Sequence, residues 1–77
     1  MKDFLNKDAI INIAFSGYGV AGYGSLDVYG QITSIENDMI SISYDPNRKE
    51  NRHRMKNTSG KMLINKQYLV SVTLLQS

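Results

Sequence analysis

The first residues that could do chemistry are three glycines spaced as in a phosphate-binding loop. Gly17, Gly19 and Gly22 form the pattern G-x-G-x-x-G, and an apolar run typical of a strand precedes them. Such a loop binds phosphate when a helix follows, because the helix N-terminus supplies the N–H donors. Here the chain continues as YGSLDVYGQI, which alternates like a strand. The pattern therefore predicts a hairpin connection, with Tyr18 and Tyr23 either packed on the protein surface or stacked on bases.

A second candidate is the concentration of cations in the polar segment 46–61. This segment, PNRKENRHRMKNTSGK, has six lysines or arginines and one acid, whereas the whole chain has a formal net charge of +2. A local excess of positive charge is typical of a surface that binds a polyanion, although a solvated, mobile loop has the same composition. The candidate cations for a nucleic-acid contact are Arg48, Lys49, Arg52, Arg54 and Lys56.

The residue types give little support to catalytic or metal chemistry. Cysteine is absent, which excludes disulfides and thiolate ligands, and the one histidine, His53, cannot build a metal site alone. Glu36 and Asp38 belong to a tight-turn pattern and are expected to shape that turn rather than to act as an acid–base pair. We therefore predict that the protein is not an enzyme and has no cofactor.

Length and composition predict one small domain, residues 1–77. No apolar run approaches the length of a membrane helix, and the opening residues MKDFLNKD lack the apolar core of a signal peptide. We expect a cytoplasmic protein with no membrane partner, in keeping with the lack of cysteine. A core this small gives only marginal stability, and the chain lacks cysteines for disulfides or thiolate metal sites. Self-association is therefore the expected source of further stability.

Apolar residues alternate with period two through most of the chain, which predicts an all-β fold. Ile35 breaks this alternation, so we expect a bulge or bend near Thr33–Ser34, shortly after Gly30. Five short strands with a sharply bent second strand suit a small, strongly bent antiparallel barrel of the SH3-like type. The expected strands are 9–15, 26–35, 39–45, 61–65 and 68–75, with long loops at 16–25 and 45–61 and one helical turn over 2–7 capped by Asp3.

Two segments resemble the motifs of the Sm-like family. In YGQITSIENDMISISY, Gly30 is followed by apolar Ile32 and Ile35, then by acidic Glu36 and an apolar strand from Met39, which is the order and spacing of the first Sm motif. MLINKQYLVSVTLL is similar to the second motif, a short strand, a turn with a basic residue and a final strand. The pattern is closer to the bacterial Hfq branch, which DFLN near the start also resembles.

This resemblance implies a ring of about five to seven subunits in which strand four of one copy pairs with strand five of the next. The turns 36–38 and 65–67 would then face a central pore that binds RNA or another single-stranded nucleic acid. Lys66 has an alternative role, pairing with Glu36 or Asp38, and the whole chain has an alternative function as an SH3-like module that binds protein. The pore residues implied by the family are Asn37, Asn65, Lys66 and Gln67.

Overall fold

The fold is a single five-stranded antiparallel sheet, seen in a computed structural model that describes residues 3–16 and 23–75. The predicted all-β architecture is confirmed, and the strand bounds agree closely with those expected. The strands are β1 (Ala9–Ser16), β2 (Tyr23–Glu36), β3 (Met39–Tyr44), β4 (Lys61–Asn65) and β5 (Leu69–Leu74), with one helical turn, α1 (Arg52–Met55), and a 3₁₀ turn (Lys66–Tyr68).

The sheet is open rather than closed into a barrel. Its strand order is β4-β3-β2-β1-β5, so β4 and β5 form the two edges. Among the described residues no ladder joins these two strands, and in this respect the predicted barrel is corrected to a bent sheet with two free edges. Free edges present unpaired N–H and C=O groups, which favour pairing with another strand.

Strand β2 exchanges one neighbour for another at Gly30. Residues 23–30 pair with β1 and residues 30–36 pair with β3, so Gly30 faces Ala9 on one side and Tyr44 on the other. The ladder with β3 shifts register between Ile32 and Ser34, which confirms the bulge expected there. One long strand thereby serves both halves of the sheet, and the change of partner allows the sheet to bend around its core.

The core consists of the inward-facing residues of the strands, as the alternation predicts. Ile35, after the bulge, is 41% exposed, in agreement with its break of phase. The inner face is aliphatic apart from one tyrosine, and a methionine from α1 completes it. The buried apolar residues are Ala9, Ile11, Ile13, Val28, Ile32, Ile40, Ile42, Tyr44 and Met55.

The segment before β1 is a bridge to β2 instead of the predicted helical turn. Leu5 forms a parallel bridge with Ile32, and the Asn6 N–H donates to the Ile32 carbonyl at 2.8 Å. Asn6 has φ of 61°, a left-handed conformation that stops a helix. Because Phe4 and Leu5 gain contact with the core in this arrangement, apolar burial outweighs the helix-capping tendency of Asp3.

The two predicted loops have different outcomes. β1 and β2 extend into the first loop, and its remaining residues 17–22, which include the glycine motif and Tyr18, lie outside the described residues. A strand that begins at Tyr23, and not a helix, follows those glycines. The second loop, 45–61, contains the helical turn α1 and has two buried side chains of its own, Asn51 and Met55.

We expect Gly30→Ala to lower the free energy of unfolding by about 2–3 kcal/mol. A Cβ at this position would lie 2.7 Å from the Tyr44 Cβ and would collide with the Ser43 carbonyl oxygen of β3. Gln31→Ala, one residue further along and exposed, is the matched control and should change the unfolding free energy by less than about 0.5 kcal/mol. Urea unfolding of both variants measures the difference, and equal stabilities would contradict the role given to Gly30.

Candidate nucleic-acid interface

The candidate residues form two groups at opposite ends of the β3–β4 hairpin. The turn end consists of residues 36–38, between β2 and β3, and residues 65–68, between β4 and β5. The loop end consists of residues 45–60. Since β3 has six residues, the two groups are separated by about 17 Å along the strand.

The two turns of the turn end lie side by side, as the sequence predicts. Met39 pairs with Asn65 at the end of the β3–β4 ladder, and the Lys66 N–H donates to the Asp38 carbonyl at 2.7 Å. The Asn65 side chain accepts from the Gln67 N–H at 3.1 Å and so caps the 3₁₀ turn. Asn37, with φ of 55°, supplies the left-handed residue that the tight turn requires.

Charge at the turn end is negative rather than positive. The Lys66 Nζ lies 3.3 Å from the Asp38 Oδ1, and both side chains are more than 60% exposed. The alternative role of Lys66, an ion pair with a turn carboxylate, is therefore observed with Asp38. Glu36 adds a second exposed carboxylate, so two acids and one lysine leave a formal charge of −1.

Asn51 anchors the loop end in the protein interior. Its side chain is nearly completely buried, at 1% exposure, and its Oδ1 accepts from the Tyr29 N–H at 2.9 Å. Its Nδ2 donates to the carbonyls of Tyr29 and Asp45 at 2.9 and 3.0 Å. The amide thus occupies the edge of β2 at the point where β3 has ended, and it supplies partners to backbone groups that are partly shielded from water.

A second anchor lies on the other side of α1. Met55 is buried in the core, and the Thr58 hydroxyl connects the Met55 carbonyl, at 2.6 Å, to the Tyr44 hydroxyl, at 2.8 Å. Gly60, with φ of 82°, returns the chain to the sheet, where its carbonyl accepts from the Tyr44 N–H at 2.9 Å. The backbone of the loop is therefore fixed at both ends of α1.

Arg48 is part of this anchoring. Its guanidinium donates to both carboxylate oxygens of Asp8, at 2.8 and 3.2 Å, and to Glu50 at 3.3 Å. It also lies 5.3 Å from the centroid of the Tyr29 ring. The hydrogen bond with Asp8 raises the pKa of Arg48 above its ordinary value, against the opposite effect of partial burial. Its charge is already balanced, so Arg48 connects the loop to Asp8, the residue before β1.

The other four cations of the loop are exposed on this fixed backbone. Arg52 and Lys56 are four residues apart across α1, so they lie on the same side of the turn. Arg54 lines a groove of about 380 Å³ with Asp27 and Glu50, where two carboxylates offset its charge. The exposed cations of the predicted set are Lys49, Arg52, Arg54 and Lys56.

Sequence reasoning missed Asn51 and Met55, two buried residues that help to fix the loop. Met55 is an isolated large apolar residue within a polar segment, and that signal could have identified it. Asn51 has no comparable signal, because nothing local distinguishes it from the exposed Asn47 and Asn57. The bonds that define its role reach Tyr29, on a strand 22 residues earlier.

Other kinds of site are not found in the part of the chain that the structure describes. Within residues 3–16 and 23–75, no three metal-ligating side chains converge. None of the helical segments described there has the length and apolar character to cross a membrane. No protein-family model, no curated protein and no solved structure matches the chain.

We predict that Asn51→Ala lowers the free energy of unfolding by about 2–3 kcal/mol, because one N–H and two carbonyls at partly buried positions lose their partners. Asn47→Ala removes an exposed asparagine from the same loop and should have little effect. Thermal and urea unfolding of the two variants provide the comparison. An Asn51 variant as stable as the Asn47 variant would show that the buried amide does not anchor the loop.

Proposed function

We propose that this protein is a ring-forming, Sm-like protein that binds single-stranded nucleic acid, with RNA as the expected ligand. The observation that carries the proposal is the anchored loop end, which exposes Lys49, Arg52 and Lys56 on a backbone fixed by Asn51 and Met55. Cations on a fixed backbone lose less conformational freedom on binding than cations on a mobile loop. A polyanion is the ligand that such an arrangement fits best.

The topology supports the Sm-like part of the proposal. The resemblance implies a five-stranded, strongly bent sheet. In the ring, strand four of one subunit pairs with strand five of the next, so these two strands must be the edges of the sheet. The observed sheet has those two strands at its edges and a bulge in β2 close to Gly30. These features are what an Sm-like subunit requires. We also propose that the protein is located in the cytoplasm.

Exposed apolar side chains on the two edges support assembly. Leu63 on β4 is 63% exposed, and Val70 on β5 is 60% exposed. Val70 is skipped in the β1–β5 ladder, and Leu74 near the end of β5 is also exposed. A contact from β4 of one copy to β5 of the next would cover these side chains and satisfy both edges. Such a contact is heterologous, so repetition can close it into a ring.

In this proposal the two ends of the subunit have different roles. The cations of the loop end contact phosphates, whereas the amides of Asn37, Asn65 and Gln67 at the turn end contact base edges or 2′-hydroxyls. Lys66 is a weaker phosphate contact, because Asp38 already balances its charge. The negative turn end is also the feature that favours the alternative function, a protein-binding module of the SH3-like type.

We expect Arg52→Gln/Lys56→Gln to weaken binding of a fluorescent oligouridylate by about tenfold or more at about 50 mM salt. The slope of log affinity against log salt should fall by about 1.4, since each phosphate contact contributes about 0.7 for a single strand. Fluorescence anisotropy measures both quantities.

Lys7→Gln/Lys61→Gln is the charge-matched control for this double variant. It removes the same formal charge at two exposed lysines outside α1. Equal losses in the two double variants would indicate attraction by net charge alone, and the loop end would then not be the binding surface. Absence of binding by the wild-type protein at low salt would reject the proposed function.

A further inference from the structure

The ion pair at the turn end has a consequence for ligand selection. Lys66 is the one lysine of the two adjacent turns, and its Nζ lies 3.3 Å from the Asp38 Oδ1. The backbone hydrogen bond from the Lys66 N–H to the Asp38 carbonyl, 2.7 Å long, holds the two residues next to each other. The backbone hydrogen bond therefore keeps the Asp38 carboxylate and the Lys66 ammonium within reach of each other.

We propose that Asp38 is a specificity-determining residue that shields Lys66 from phosphate and so directs the nucleic-acid backbone to the loop end. The inference rests on the proposed function, because it concerns how the same ligand is distributed over the two ends of the subunit. A phosphate that approaches Lys66 competes with a carboxylate that is already in contact, and it meets the repulsion of that carboxylate at short range. The turn end is left with its neutral amides as the groups that contact a ligand.

Glu36 does not have this role, although it belongs to the same turn and has the same charge. It is the last residue of β2, paired with Met39, whereas Asp38 is the residue whose carboxylate contacts Lys66. Both side chains are exposed, so their long-range effects on a phosphate are similar and are reduced alike by salt. The difference between them lies in the direct contact, which gives a test with an internal control.

Symmetry would increase the effect of the pair. In the proposed ring every subunit places one Asp38 and one Lys66 at the same distance from the axis, so shielded lysines recur around the turn end. Replacement of Asp38 by a neutral residue of the same shape would release a lysine in each subunit at once. The turn end would then become a second phosphate surface.

The test compares Asp38→Asn with Glu36→Gln, each in the presence of Lys66 and in the Lys66→Ala background. The probe is a short fluorescein-labelled oligouridylate at low salt, and the readout is anisotropy. We expect Asp38→Asn to raise affinity by about three- to tenfold and to steepen the salt dependence, because an additional phosphate contact forms. In the Lys66→Ala background the gain from Asp38→Asn should fall to that of Glu36→Gln, whereas the gain from Glu36→Gln should be the same in both backgrounds.

The possible results separate this inference from the proposed function. Binding by the wild-type protein that Asp38→Asn leaves unchanged, or raises equally without Lys66, would overturn the shielding and leave the proposed function intact. Binding that appears only in Asp38→Asn would reject the proposed function and would overturn the inference that the nucleic-acid backbone is directed to the loop end. Lack of binding by every variant would reject both the proposed function and the shielding.

Discussion

The close approach of β2 and β3 at Gly30 is the constraint on which the rest of the structure depends. At this residue β2 is paired with β1 and β3 at once, and a Cβ there would collide with backbone atoms of β3. Because one strand serves both halves, the sheet bends around an aliphatic core, and no ladder among the described residues joins its two edge strands. Within residues 3–16 and 23–75, the same arrangement leaves β4 and β5 unpaired on their outer sides, so the geometry that builds the core also produces the edges available for assembly.

Because β2 changes partners at Gly30, each half of the strand has one side without a neighbouring strand of the sheet. Close to Gly30, another segment of the chain hydrogen-bonds to each of these two sides. The Asn51 amide bonds the backbone of Tyr29 on the side that β3 has left, and the Leu5–Asn6 segment bonds Ile32 on the side beyond β1. The hydrogen bonds of Asn51 have a functional consequence, since Asn51 fixes the loop that exposes the cations. The hydrogen bonds that complete β2 therefore also fix the loop end, and the positive charge of the loop occupies a defined position as a result.

The parts of this fold that could be predicted are those encoded in local alternation. Apolar residues at every second position identified the strands, and the break of this alternation at Ile35 indicated the bulge near Thr33–Ser34. The adjacency of the two turns also followed, because consecutive antiparallel strands bring their ends together. Local patterns could not predict Arg48 with Asp8, a pair 40 residues apart, or the burial of Asn51, because both depend on contacts that exist only after the sheet has formed. The negative charge of the turn end could be counted from the sequence, but its consequence for Lys66 required the observed distance to Asp38.

Assembly of copies through β4 and β5 is the central claim, and the absence of cysteine from the chain makes it directly testable. The double variant Leu63→Cys/Val70→Cys places one thiol on each edge, and a short bis-maleimide reagent can then join neighbouring copies. The proposed ring predicts a ladder of covalent species up to about five to seven subunits on a denaturing gel, while each single variant remains a monomer because like edges do not meet. A double variant that stays monomeric with both thiols accessible to a dye, together with a wild-type protein that sediments as a monomer at the same micromolar concentration, would contradict the ring.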